Sequence, residues 1–136
     1  MYARLFSPSA KSSYFLFGPR GTGKSSWLRR EYHDSTYVDL LDDEIFNTLN
    51  ASPKQLSRYV DDPKKPVVID EVQKIPHLLD EVHRLIELSR LRFVLTGSSA
   101  RKLLRSGVNL LGGRALTYQM HPLTAVELAK DFEMKK

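Results

Sequence analysis

Apolar and polar positions along the chain sort into two alternating kinds of segment. Ser13-Tyr14-Phe15-Leu16-Phe17 is a short aromatic and apolar run that stops at Gly18-Pro19. A run this short, free of charge and closed by turn residues, predicts a strand buried on both faces. Pro66-Val67-Val68-Ile69-Asp70 repeats the pattern with β-branched residues until it meets a carboxylate, and Arg92-Phe93-Val94-Leu95-Thr96 repeats it before Gly97. Thr36-Tyr37-Val38-Asp39-Leu40 and Ala115-Leu116-Thr117-Tyr118-Gln119-Met120 read as two further strands.

Between these runs the apolar residues switch to helical spacing. Leu78, Leu79, Val82, Leu85 and Ile86 form one stripe of a helix predicted over 78–90. Ile45, Phe46 and Leu49 mark another over 42–50, and helices are also predicted over 25–33, 100–106 and 123–132. Ser52-Pro53-Lys54-Gln55 carries the signature of a helix start: Ser52 as cap, Pro53 at the first position, Gln55 closing a capping box. Strands alternating with helices predict a three-layer α/β fold, with a central, mainly parallel sheet covered on both faces.

The 136 residues suit one domain, expected over 1–136, because no repeat or low-complexity linker divides them. With 41% hydrophobic and 27% charged residues, a buried core is expected and wholesale disorder is not. No apolar run approaches the roughly 18 residues of a membrane helix, so no membrane span is expected. Met1 to Pro8 holds no apolar stretch after a basic start, so no secretory signal is expected either. The absence of cysteine removes disulfides, thiolate zinc sites and cysteine nucleophiles, and makes a reducing, cytoplasmic setting the expectation.

Charge adds less. The net of +5 is compatible with nucleic acid and equally with nucleotides. The basic residues come in short clusters such as Arg29-Arg30, Lys64-Lys65 and Arg101-Lys102, which read as solvated faces rather than a DNA footprint. The four histidines, at 33, 77, 83 and 121, share no metal-ligand spacing. Ser98-Ser99 has no neighbouring histidine or Gly-x-Ser-x-Gly setting, so a serine hydrolase is not supported. Trp27, Tyr32 and Tyr37 read as helix–sheet packing rather than a base-stacking platform.

The candidate chemistry lies at the strand ends. Gly18-Pro19-Arg20-Gly21-Thr22-Gly23-Lys24-Ser25 fits G-x-x-x-x-G-K-[ST] at every fixed position, after a predicted strand and before a predicted helix. Glycines let the chain curl with its amides pointing inward around phosphates, and the helix adds its N-terminal donors. Lys24, expected to face solvent, can reach the β- and γ-phosphates of a nucleotide. The Ser25 hydroxyl can join the coordination of Mg²⁺.

Asp70 ends an apolar strand, where a charge is costly unless it has a partner such as a metal ion and its waters. Glu71 adds a carboxylate suited to orienting a water as general base. The plain alternative is that Asp70 caps a turn and Glu71 is solvated. Paired acids suit a hydrolase, which must position water, better than a kinase, which must exclude it.

Four stretches in order carry a family resemblance: Gly18 to Ser25; Val67-Val68-Ile69-Asp70-Glu71-Val72-Gln73-Lys74-Ile75-Pro76; Phe93-Val94-Leu95-Thr96-Gly97-Ser98-Ser99-Ala100; and Leu110-Leu111-Gly112-Gly113-Arg114 followed by Pro122-Leu123. Over about residues 12 to 128 the chain resembles AAA+ P-loop ATPases. Within them it is similar to a branch of prokaryotic predicted ATPases whose N-terminal AAA+-type domain precedes a poorly characterised C-terminal domain. The resemblance implies Walker A roles for Lys24 and Ser25, and Walker B roles for Asp70 and Glu71. It implies a sensor-1 role for Ser98, with Thr96 a neighbour of similar chemistry, and an arginine-finger role for Arg114 across a homo-oligomer interface.

The implied ligands are ATP and Mg²⁺. The resemblance also implies that the chain is the amino-terminal piece of a longer protein, without the helical lid, and that a protein or DNA partner would be met through the missing C-terminal part. The expected activity is Mg-dependent ATP hydrolysis. Two other functions stay open at this point: a P-loop small-molecule kinase, and a nucleotide-responsive switch or DNA-associated module with little turnover.

Overall fold

The computed structural model describes residues 13–18, 24–98 and 101, together with the backbone of 115–119. In chain order the elements are β1 (Ser13–Phe17), α1 (Lys24–Glu31), β2 (Thr36–Asp39), α2 (Asp43–Ala51), a 3-10 segment (Pro53–Tyr59), β3 (Val67–Asp70), a single 3-10 turn (Val72–Lys74), α3 (Leu78–Ser89), β4 (Phe93–Gly97) and β5 (Ala115–Gln119). The strands form one sheet in the order β2-β3-β4-β1-β5, and every pairing is parallel. The chain leaves β1 for the far edge of the sheet and works back through β3. It then inserts β4 beside β1 and adds β5 on the other side of β1. A parallel sheet puts all its carboxyl ends on one edge, and the crevice there, where the strand order reverses, is where α/β sheets take their ligands.

Strand periodicity sorts the side chains between two layers. Tyr14 and Leu16 of β1, Val68 of β3 and Val94 of β4 point to the face covered by α1, where they pack with Trp27 and Leu28. Phe15, Phe17, Val67, Ile69, Phe93 and Leu95 point to the other face and join α3, the 3-10 segment and Leu49 of α2 in the larger core. The central strands are therefore buried on both faces, as their unbroken apolar runs predict. By the same alternation Asp70 falls on the α1 face, two residues beyond Val68.

Local chemistry explains the helices. Asp42 caps α2: its Oδ1 accepts from the amides of Glu44 at 3.0 Å and Ile45 at 3.2 Å. Asp43 and Glu44 then sit in the first turn, where the helix dipole favours negative charge. The stripe of Leu78, Leu79, Val82 and Leu85 is buried as its spacing predicts, with Ile86 partly buried beside it. A helical segment opens after Ser52 as expected, with Pro53 at its first position, but it is not the capped α-helix that the pattern predicts. Residues 53–59 are 3-10, and the Ser52 side chain makes no capping bond. Only Leu56 of that segment is buried, so no apolar stripe is present to hold an α-helix. The Ser52 amide is already committed to Thr48 O at 3.0 Å, closing α2. Arg101 is helical. The rest of the expected 100–106 helix, and the expected helix over 123–132, lie outside the described residues.

α3 ends at Arg90, which is left-handed (φ 54°, ψ 31°) with its amide turned back to Ile86 O and Leu85 O. A side chain at that backbone conformation costs energy that glycine avoids. Arg90→Gly is expected to raise the unfolding free energy by about 1 kcal/mol. Urea denaturation measures this as a higher midpoint at unchanged slope, and a midpoint equal to or below the parent's would contradict it.

Candidate functional site

Four chain segments meet at the carboxyl edge of the sheet. Gly18 follows β1, Lys24 and Ser25 open α1, Asp70 and Glu71 end β3, and Gly97 and Ser98 end β4. Because β4 lies between β1 and β3, the end of β4 stands between the other two. Three charged side chains are buried here: Lys24 is 4% exposed, Asp70 2% and Glu71 4%. The expectation that Lys24 faces solvent is therefore corrected. Its ammonium donates to Gly97 O at 2.7 Å and Gly18 O at 3.1 Å, and lies 3.9 Å from Glu71 Oε1. Two strand-end carbonyls and a carboxylate offset the cost of burying that cation.

The two carboxylates are held differently. Asp70 Oδ2 accepts from Ser25 Oγ at 3.0 Å and from the Tyr37 hydroxyl at 2.7 Å. Its other oxygen, Oδ1, is buried and has no hydrogen-bond partner among the described residues. An ionic oxygen orphaned beside a serine hydroxyl is a hard donor set of the kind Mg²⁺ selects, and the residues present fit that ion. Glu71 is reached by a left-handed backbone (φ 64°, ψ 47°) that turns the chain sharply out of β3. Its Oε2 accepts from Gln73 Nε2, which also lies 3.4 Å from Ser98 Oγ.

Tyr37 carries more than the packing read from the sequence. It lies against the α1-side core, and its hydroxyl also steadies Asp70. Burial, and then the hydrogen bond to Asp70, push its phenol well above the ordinary tyrosine value. The hydroxyl therefore stays protonated and donates. Arg29 covers the ring face at 4.4 Å and bonds Asp39 at 3.2 Å. Asp39 is the register partner of Asp70 on the neighbouring strand, so each of two adjacent carboxylates has its own donors.

The structure thus brings Gly18, Lys24, Ser25, Asp70, Glu71 and Ser98 to one edge of the sheet. Ser98, just past β4, and not Thr96, is the hydroxyl that reaches Gln73, the partner of Glu71. Thr96 is fully buried, and its Oγ1 has no partner among the described residues. Pro19, Arg20, Gly21, Thr22, Gly23 and Arg114 lie outside the described residues. Two members of the cluster are not expected from the sequence as site residues: Tyr37, which reads there as packing, and Gln73. The signal for Tyr37 is its alternation with Asp39 on the α1 face, and for Gln73 its place two residues past a strand-end acid.

A parallel α/β sheet of this order, with a lysine and serine opening the helix after β1 and acids ending β3, is the core of a P-loop nucleoside triphosphatase. The chain belongs to the AAA domain family, whose family model matches residues 10–129. That family is one of nucleotide-binding, ATPase-type domains. No curated protein matches the sequence. Among the described residues no helix is long and apolar enough to cross a membrane.

Tyr37→Phe removes one of the two donors to Asp70 and changes little else in shape. Hydrogen bonds to charged groups contribute about 1.5–3 kcal/mol, so a loss of about 2 kcal/mol in unfolding free energy is expected. Equilibrium denaturation checks it, and a loss below about 0.5 kcal/mol would mean that Tyr37 only packs.

Proposed function

We propose that the chain binds ATP with Mg²⁺ and hydrolyses it. One observation carries the reading: Ser25 Oγ lies 3.0 Å from Asp70 Oδ2, joining the helix after the glycine-rich segment to the strand-end acid 45 residues away. Gly18 to Ser25 is the phosphate cradle, with Lys24 as the cation for the terminal phosphates. Ser25 and Asp70 would hold the metal ion, and Mg²⁺, when bound, supplies charge neutralisation at the phosphate oxygens.

In the reaction a water oxygen bonds to the γ-phosphorus in line with the departing ADP oxygen, and the bond from phosphorus to that oxygen breaks. Glu71 orients the water and takes its proton. Ser98 stands at the end of β4, next to Glu71 through Gln73, where a hydroxyl can meet the γ-phosphate or the water. The Lys24 ammonium is directed at strand-end carbonyls and Glu71. A phosphate oxygen offers that ammonium a stronger, charged acceptor, and Glu71 then turns to the water. We assign Arg114 to a neighbouring copy in a homo-oligomer, and the lack of cysteine suits a reducing, cytoplasmic setting.

Lys24→Ala is expected to weaken Mg-ATP binding at least tenfold, about 1.4 kcal/mol, by calorimetry. Glu71→Gln keeps shape but removes the base, so hydrolysis should slow by roughly 10² or more while affinity stays within a few fold. An unchanged dissociation constant in the first, or equal phosphate release in the second, would remove that residue from its role. Phosphate release without any acceptor also separates a hydrolase from a kinase.

If Arg114 acts across an interface, the rate per subunit rises with protein concentration, and Arg114→Ala abolishes the rise with ATP affinity kept. Identical flat profiles for the two proteins would leave Arg114 a structural or surface residue.

A further inference from the structure

We propose that Gln73 is a positioning residue that ties the water-orienting carboxylate of Glu71 to the end of β4; this rests on the hydrolase reading above. The geometry comes from two backbone features. Glu71 is left-handed, and the 3-10 turn after it is closed by Lys74 N to Glu71 O at 3.0 Å. That reversal brings the Gln73 carboxamide back over the strand ends. β3 and β4 are register neighbours, so the turn leaving β3 stands beside the last residues of β4.

The carboxamide spans that gap. Nε2 donates to Glu71 Oε2 and lies 3.4 Å from Ser98 Oγ. The amide lies so close to Gly97 that a Cβ there would collide with Gln73 Oε1. A side chain at 97 would therefore displace the end of the Gln73 carboxamide from this position. Oε1 is buried and has no partner among the described residues, so the donor side of the amide is what holds it in place. Glu71 consequently has two anchors of different kinds. Lys24, near Oε1 at 3.9 Å, is a cation with a competing use at phosphate. Gln73, on Oε2, is neutral and has no charge to offer a phosphate. When Lys24 turns to phosphate, Gln73 keeps the carboxylate on its line and couples it to the position of Ser98.

Gln73→Met tests this, because methionine matches the length and volume of glutamine but cannot donate. Phosphate release should fall in kcat roughly tenfold or more, the worth of a hydrogen bond to a charged group, with KM and the calorimetric Kd for Mg-ATP within about threefold. Gln73→Glu, which sets a second carboxylate against Glu71, should fall further. A positioning residue acts through its target, so Gln73→Met in the Glu71→Gln background should cause no further slowing. A melting temperature near the parent's shows that the fold survives the methionine.

An unchanged kcat in an active, folded Gln73→Met protein would overturn the role of Gln73 and leave the hydrolase reading standing. Equal slowing by Gln73→Met in both backgrounds would overturn it in the same way. No phosphate release by the parent would overturn the hydrolase reading and this role together.

Discussion

Burial of charge at the carboxyl edge of the sheet is the constraint that organises this protein. Lys24, Asp70 and Glu71 are each almost wholly buried, and ions so placed are stable only when every one finds donors or acceptors. Each solution draws on a different element. Asp70 is held by a serine from α1 and a tyrosine from β2. Lys24 is held by carbonyls at the ends of β1 and β4. Glu71 is held by that lysine and by a glutamine from the turn after β3. Moving any of these strands would separate the partners and leave a buried charge unpaired.

The insertion of β4 between β1 and β3 makes this possible. Were β1 and β3 direct neighbours, no strand-end residue of β4 would stand between Lys24 and Glu71. With β4 there, Gly97 serves three partners at once. Its carbonyl accepts from Lys24, and it also accepts the amide of Gly18 at 3.1 Å. Its missing side chain admits the Gln73 amide. Two of these uses need only backbone, and the third leaves the end of Gln73 in the place that a side chain at 97 would take.

How much could be read from the sequence depends on where each signal resides. β1, β3 and β4 are buried on both faces, and burial on both faces writes itself as an unbroken apolar run. The stripe of α3 is equally local. The strand-end position of Asp70 was legible because a carboxylate closes an apolar run. Tyr37 was not, because its partner depends on the register that sets Asp39 opposite Asp70, and no window of sequence contains that pairing. Gln73 was missed because a left-handed turn at a glutamate is not announced as one at glycine would be. Ser52-Pro53 marked where a helical segment starts, but a capping pattern does not say whether it continues as an α-helix, which depends on a buried stripe.

Two side chains adopt left-handed backbone among the described residues, and the contrast between them argues for chemistry at one. Arg90 is exposed at the end of α3, a place where left-handed residues are routine and where glycine would serve better. Glu71 bears the same strain, roughly 1 kcal/mol, but inside the protein, and with a charge that burial makes costlier still. Glycine would relieve both costs at once. A folding argument therefore predicts glycine at 71 and meets a carboxylate, held on one side by a cation and on the other by an amide. This coincidence of strain and buried charge at a strand end supports the proposal of Glu71 as the water-orienting base.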